Sequence, residues 1–170
     1  MPSLLQAQPG CLLLYWNIML FKKGNTATSV TEVNLSKDYS FMHENFVVSS
    51  QHKLFLLLEQ TENIIDALEF DSLIYKYGYH NDEVRHPRSE YGLGFYGLFQ
   101  GINSPWVEEL INSNQQHHRH SNSSFDNYKH YIAKFKDVTL EVVFTNMKEI
   151  RLKKSELLTF LNEQIKYLEK

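Results

Sequence analysis

Apolar and polar positions alternate along several short runs of this chain, and a period of two predicts a sheet. "LIYKYGY" (73–79) puts Tyr75, Tyr77 and Tyr79 on one face, and "NFVVSSQHKLFLLLEQ" upstream is β-branched and aromatic. Between them, "TENIIDALEF" is ambiguous, because Leu54, Leu58, Ile65 and Leu68 also fit a helical spacing. A meander is favoured, since Thr61, Glu62 and Asn63 make a turn between strand-like flanks. "YGLGFYGLFQGI" reads as another strand, its glycines marking a bulge or close packing. "YKHYIAKFKD" and "VTLEVVFTNMKEIRL" read as a strand pair with a tight corner at Asp137.

The period changes to 3.6 in two places. Ser104 before Pro105 is an N-cap and first-turn proline opening "PWVEELINSN", with Glu108 and Glu109 near the positive helix end. Ser155 is expected to cap "ELLTFLNEQIKYLEK", whose Leu157, Leu158, Leu161, Ile165 and Leu168 form one apolar stripe. That stripe must dock on the sheet or on a second subunit. The expected fold is therefore α+β: an antiparallel sheet, meander or partly closed barrel, with helices near 105–113 and 155–169. The short gaps and missing βαβ rhythm point to local antiparallel connections.

"CLLLYWNIMLF" (11–21) is the one strongly apolar run, too short to span a bilayer and interrupted by Asn17. No positive charge precedes it and no small-residue cleavage site follows, so it does not read as a signal peptide. Met19 opens a plausible start of its own. Residues 1–18 are thus either an extension foreign to the domain of residues 19–170 or an interface strand. With the stripe on the last helix, this run predicts a homodimer or other homo-oligomer.

Composition narrows the class. The chain has 170 residues, of which 42% are hydrophobic and 14% aromatic, which suits one globular domain rich in strands. A net charge of −3 leaves no nucleic-acid footprint. Residues 129–170 carry nine Lys/Arg against six Asp/Glu, and the rest carry eight against fourteen, so a basic end follows an acidic body. A single cysteine, Cys11, excludes an intramolecular disulfide and a four-cysteine zinc site, and fits a cytoplasmic location. No membrane partner and no cofactor are expected.

The densest chemistry lies in "NDEVRHPRSEYGLGFYG" (81–97). Asn81, Asp82, Glu83, Arg85, His86 and Arg88 follow the tyrosine-rich strand and could combine acid–base catalysis with anion clamping. They could equally be a solvated turn whose charges pair with one another. His117, His118 and His120 can chelate a metal, but they sit in the polar stretch 112–127, where rigid second-shell support is not expected. No physiological metal is therefore assigned. His130, Ile132, Lys134 and Lys136 should share a strand face, Asp137 could orient a histidine, and Glu141 follows on the return strand. No G-x-S-x-G, P-loop or dinucleotide fingerprint occurs.

The ordered blocks N-D-E…H-P…G-L-x-x-Y-G, S-P-W-V-E-E-L-x-x-x-N and K-H-Y-I-x-x-F-K-D-x-T-x-E resemble a group of small bacterial proteins. Some of that group occur on mobile integron gene cassettes. The resemblance spans about residues 46–145. The group more often has histidine where this chain has Lys136, and leucine where it has Arg88. The resemblance implies an accessory role and names no reaction. The expected function is a non-enzymatic binding or interaction module with a protein partner or small ligand. Its contact face would draw on Tyr75, Tyr77, Tyr79, Asp82, Glu83, Arg85, Arg88, Tyr91, Tyr96 and Trp106. The alternative is a small hydrolase-like enzyme using His86 or His130 with Asp82 or Asp137.

Overall fold

The computed structural model describes residues 27–42, 46–50, 53–78 and 84–168. Seven strands form one open antiparallel sheet: β1 (Ser29–Glu32), β2 (Phe46–Ser49), β3 (Leu54–Thr61), β4 (Ile64–Gly78), β5 (Gly97–Ile102), β6 (Lys129–Lys134) and β7 (Thr139–Lys153). Their spatial order is β1-β5-β6-β7-β4-β3-β2. Two helices accompany them, α1 (Pro105–Asn114) and α2 (Lys154–Lys166), with a short 3-10 helix at Pro87–Tyr91. This is the expected α+β class, and the sheet is open.

Hairpins build most of the sheet. β2 and β3 pair antiparallel, Ser49 opposite Leu54, and the Ser50 N–H donates to the Lys53 carbonyl. Between β3 and β4 the turn falls at Glu62–Asn63, with Glu62 at φ 52°, and 54–68 is strand, not helix. The β6–β7 corner closes as the Phe135 N–H bonds to the Val138 carbonyl. The centre is a non-local ladder between the 15-residue strands β4 and β7, bulged near Ser72.

Alternation sorts the side chains into two layers. One face collects Leu54, Leu56, Leu68, Phe70, Leu98, Tyr131, Ala133, Phe135, Leu140, Val142 and Phe144. Segment 33–41 covers it: Phe41 stacks on Phe135 with centroids 5.2 Å apart, and Val33, Leu35 and Tyr39 pack alongside. Polar ties fix that cover, since the Ser36 N–H donates to Glu149 at 3.0 Å and Lys37 bonds Asp66 at 3.1 Å. The second face holds His130, Ile132 and Glu141, and helices lie over it.

Helix α2 begins where β7 ends, without a loop. The cap is therefore not Ser155: the Lys153 N–H is taken by the Glu156 carboxylate at 2.8 Å, and the Lys154 N–H by the Asn63 carbonyl. Phe160 meets Phe55 edge-on, while Leu158 and Ile165 stay exposed and no residue of the helix is buried. No helix among the described residues is long and apolar enough to cross a membrane. The apolar run 11–21 lies outside the described residues.

Candidate functional site

Three distant parts of the chain meet over the second face at one carboxylate, that of Glu141. β6 and β7 pair Ile132 with Glu141 and His130 with Val143, so His130 and Glu141 are diagonal neighbours on one side. The His130 Nε2 stands 3.0 Å from Glu141 Oε2. The 3-10 helix brings His86, its Nε2 3.4 Å from Oε1, and Arg88, its Nε 3.5 Å from Oε2. From the start of α1, the Ser104 Oγ lies 2.8 Å from His130 Nδ1. Both imidazoles are sealed from solvent, with His86 1% and His130 0% exposed.

The partners fix the tautomers. The Arg88 backbone N–H donates to His86 Nδ1 at 3.1 Å, so the ring proton of neutral His86 sits on Nε2, facing Glu141. In His130 the Ser104 hydroxyl donates to Nδ1 and the Nε2–H faces the carboxylate, off the straight-line geometry of a strong hydrogen bond. Burial alone would raise the Glu141 pKa. The contacts with His130 and His86 outweigh it and hold the carboxyl far below its usual range. Burial lowers the His130 pKa, and only part of that is restored by Glu141.

No group of three potential ligands stands in metal-binding geometry among the described residues. The His117 and His118 rings pack 4.5 Å apart, and His120 is occupied by Asn114 and Asn122.

Gly101 sits directly opposite His130, and a Cβ there would stand 3.1 Å from Nδ1. Since Ser104, Glu141 and Trp106 hold that ring, it cannot retreat. Gly101→Ala should cost about 1–3 kcal/mol, read as a lowered urea midpoint. An unchanged midpoint would show that the ring is free to shift.

The aromatic face expected from sequence is divided. Trp106 is buried, meets His130 edge-on at 5.2 Å, and carries the Lys76 ammonium over its ring at 4.1 Å. Tyr75 and Tyr77 pair with Val142 and Leu140, on the opposite side of the sheet from Lys76 and Trp106. Tyr96 packs into the core layer, Tyr91 is half-buried, and Arg85 is exposed. Tyr79, Asp82 and Glu83 lie outside the described residues. Asp137 is exposed at the β6–β7 corner, whereas His130 is at the far end of β6 with Glu141 as its acid. The pairing of His130 with Asp137 is thus corrected to Glu141.

Sequence reasoning did not weigh Lys76, and it read Ser104 only as a cap. Ser104 does cap α1, accepting from the Val107 N–H at 3.5 Å, and contacts His130 as well. A separate cavity of about 190 Å³ lies beneath the 33–41 cover, lined by Glu32, Asn34, Lys37, Tyr39 and Tyr96 among others. It does not include the Glu141 cluster. Comparison with known protein families, with curated proteins and with solved structures finds no match to this chain.

Proposed function

We propose that the chain is a non-enzymatic binding module whose contact surface is the outer edge of β4. The observation that carries this reading is the unequal length of β3 and β4. β3 pairs with β4 only as far as Leu54 opposite Phe70, while β4 runs on to Gly78. Over 71–76 the strand has β7 on one side and no described strand on the other. Leu73, Ile74 and Tyr75 are 49%, 38% and 38% exposed there. An edge with apolar side chains on both faces is a template for strand addition, in which main-chain bonds give affinity and side-chain contacts give selectivity.

The buried groups fit this division of labour. Glu141, His86, His130 and Arg88 lock β6, β7 and the 3-10 helix together, and so brace the strand that carries the edge. The test is capture of phage-displayed peptides by the full chain, compared with a Leu73→Lys/Tyr75→Lys variant. Wild type should enrich apolar, β-prone peptides, and the variant should lose at least about tenfold in affinity, equivalent to about 1.4 kcal/mol. Equal capture by both would end this reading.

A hydrolase-like reading has one observation in its favour, the hydroxyl–imidazole–carboxylate chain Ser104–His130–Glu141. Access weighs against it, because Ser104 and His130 are both buried. Labelling of Ser104 by an alkyl fluorophosphonate would replace the binding reading with the enzymatic one.

A further inference from the structure

Glu141 faces the Arg88 guanidinium and two imidazoles, those of His86 and His130, that can each become a second cation. With both rings neutral, Arg88 and Glu141 cancel. A proton on His130 leaves a surplus of buried positive charge, which is costly. No second acid stands within ion-pair distance of His130 among the described residues. Its other neighbours are Ser104 and Trp106 from α1 and Gly101 from β5, all uncharged. Lys76 of β4, directly opposite Glu141, adds a further positive charge, held over the Trp106 ring.

The two carboxylate oxygens are not shared equally. Oε1 faces His86, while Oε2 serves both Arg88, at 3.5 Å, and His130, at 3.0 Å. A neutral His130 and a cationic Arg88 can share that oxygen. A protonated His130 is the nearer cation and competes for it directly. His130 is fixed, because β6 lies between β5 and β7 and its ring is held by Ser104 and Trp106. Arg88 is more free to leave. Of residues 86–92 only His86 is buried. The backbone bonds of the 3-10 helix, Ser89 N–H to the His86 carbonyl and Gly92 N–H to the Ser89 carbonyl, are internal to the segment.

We infer that residues 86–92 are an acid-released strap: a proton on His130 displaces Arg88 from Glu141, and the 3-10 helix lifts off β7 and admits water to Ser104 and His130. The strap goes beyond the β4 edge and does not depend on it. Release reinforces itself. While the strap is closed, burial holds the His130 pKa below its ordinary 6.5, and once water reaches the ring that penalty is gone. The open form therefore binds the proton more tightly. Closure is strongest above about pH 6.5 and weakens as the pH falls below it.

The test is residue-resolved hydrogen exchange on the full chain at pH 7.5 and 5.5, corrected for intrinsic rates. Undocked, so short a 3-10 helix does not persist. Protection of the Ser89 and Gly92 amides should fall by about tenfold, the ceiling set by one imidazole that titrates normally in the open form. Those amides should also be less protected than Tyr131 and Val142 at both pH values. Equal protection of strap and central strands would make the opening global and overturn the strap, as would strap protection that ignores pH. Two variants identify the trigger. His130→Gln cannot take the proton, so its strap protection should not change between the two pH values. Arg88→Gln leaves Glu141 uncompensated until His130 is protonated, so acid should hold its strap level or tighten it. A fall of wild-type size in whichever of these variants folds would overturn the displacement of Arg88 by His130.

Discussion

Replacing Glu141 by alanine is expected to lower folding stability by about 3–5 kcal/mol, the usual cost of leaving buried charge partners uncompensated. The carboxylate answers the Nε2 atoms of His86 and His130 and the Arg88 guanidinium, and each is almost fully covered. Without it, a guanidinium and two imidazoles face one another with no acceptor and little water. For a chain of this size each kcal/mol shifts the melting temperature by about 2–4 °C, so a drop of roughly 6–20 °C should appear in calorimetry. Glu141→Gln keeps the shape and one acceptor, and should fall between wild type and alanine. Glu59→Gln provides the contrast, because its partner Lys37 is well exposed and solvent screens such a pair, so the melting temperature should barely move. A loss below about 1 kcal/mol for Glu141→Ala would show that water reaches the cluster.

Acid is expected to destabilise the fold in two stages, both with the same sign. His130 has a folded pKa below its ordinary 6.5, so the unfolded chain takes up a proton that the folded chain resists. Stability should therefore be complete above about pH 6.5 and decline below it until the folded pKa is passed. Glu141 has a folded pKa depressed from its ordinary 4.5, so its contribution is present above that value and drains away as pH falls further. Each proton contributes a limiting slope of about 1.4 kcal/mol per pH unit. The groups facing His130 are Ser104, Trp106, Glu141, Arg88 and His86, drawn from every element packed on it. His130→Gln should remove the first stage and shrink the second, because His130 is one of the two contacts that depress Glu141. A melting temperature flat from pH 7 to pH 5 in wild type would refute the assignment.

Much of the architecture was legible because strand periodicity is local. Tyr131, Ala133 and Phe135 alternate with His130, Ile132 and Lys134 in the sequence as they do across the sheet. Glu141 was within reach too: a corner closed at 135–138 sets Lys134 opposite Thr139, and counting back puts Ile132 opposite Glu141. What was not legible depends on pairings between distant segments. Nothing in "SVTE" shows that β1 will lie beside β5, and nothing near His86 shows that the 3-10 helix will settle on β7. Trp106 illustrates the limit. Its place just inside a proline-started helix was clear, but only tertiary packing turned it under Lys76 and onto His130. Ser155 fails as a cap for a related reason: β7 runs on to Lys153, so the helix starts before it.

The central ladder also governs how this chain reaches its fold. The two three-stranded units on either side of it, β2-β3-β4 and β5-β6-β7, are more local: the first closes by short turns, the second by the β6–β7 corner and by the connection between β5 and β6 that carries α1. Gly78 and Thr139, which bond at one end of the β4–β7 ladder, are 61 positions apart in the chain, and Ile64 and Lys153 at the other end are 89 apart. Joining the two units costs loop-closure entropy before any of the ladder's bonds return it, which places the slow step at their docking. Until then the inner edges of β4 and β7 are both bare, and they are the surfaces on which a nascent chain is most exposed to mispairing.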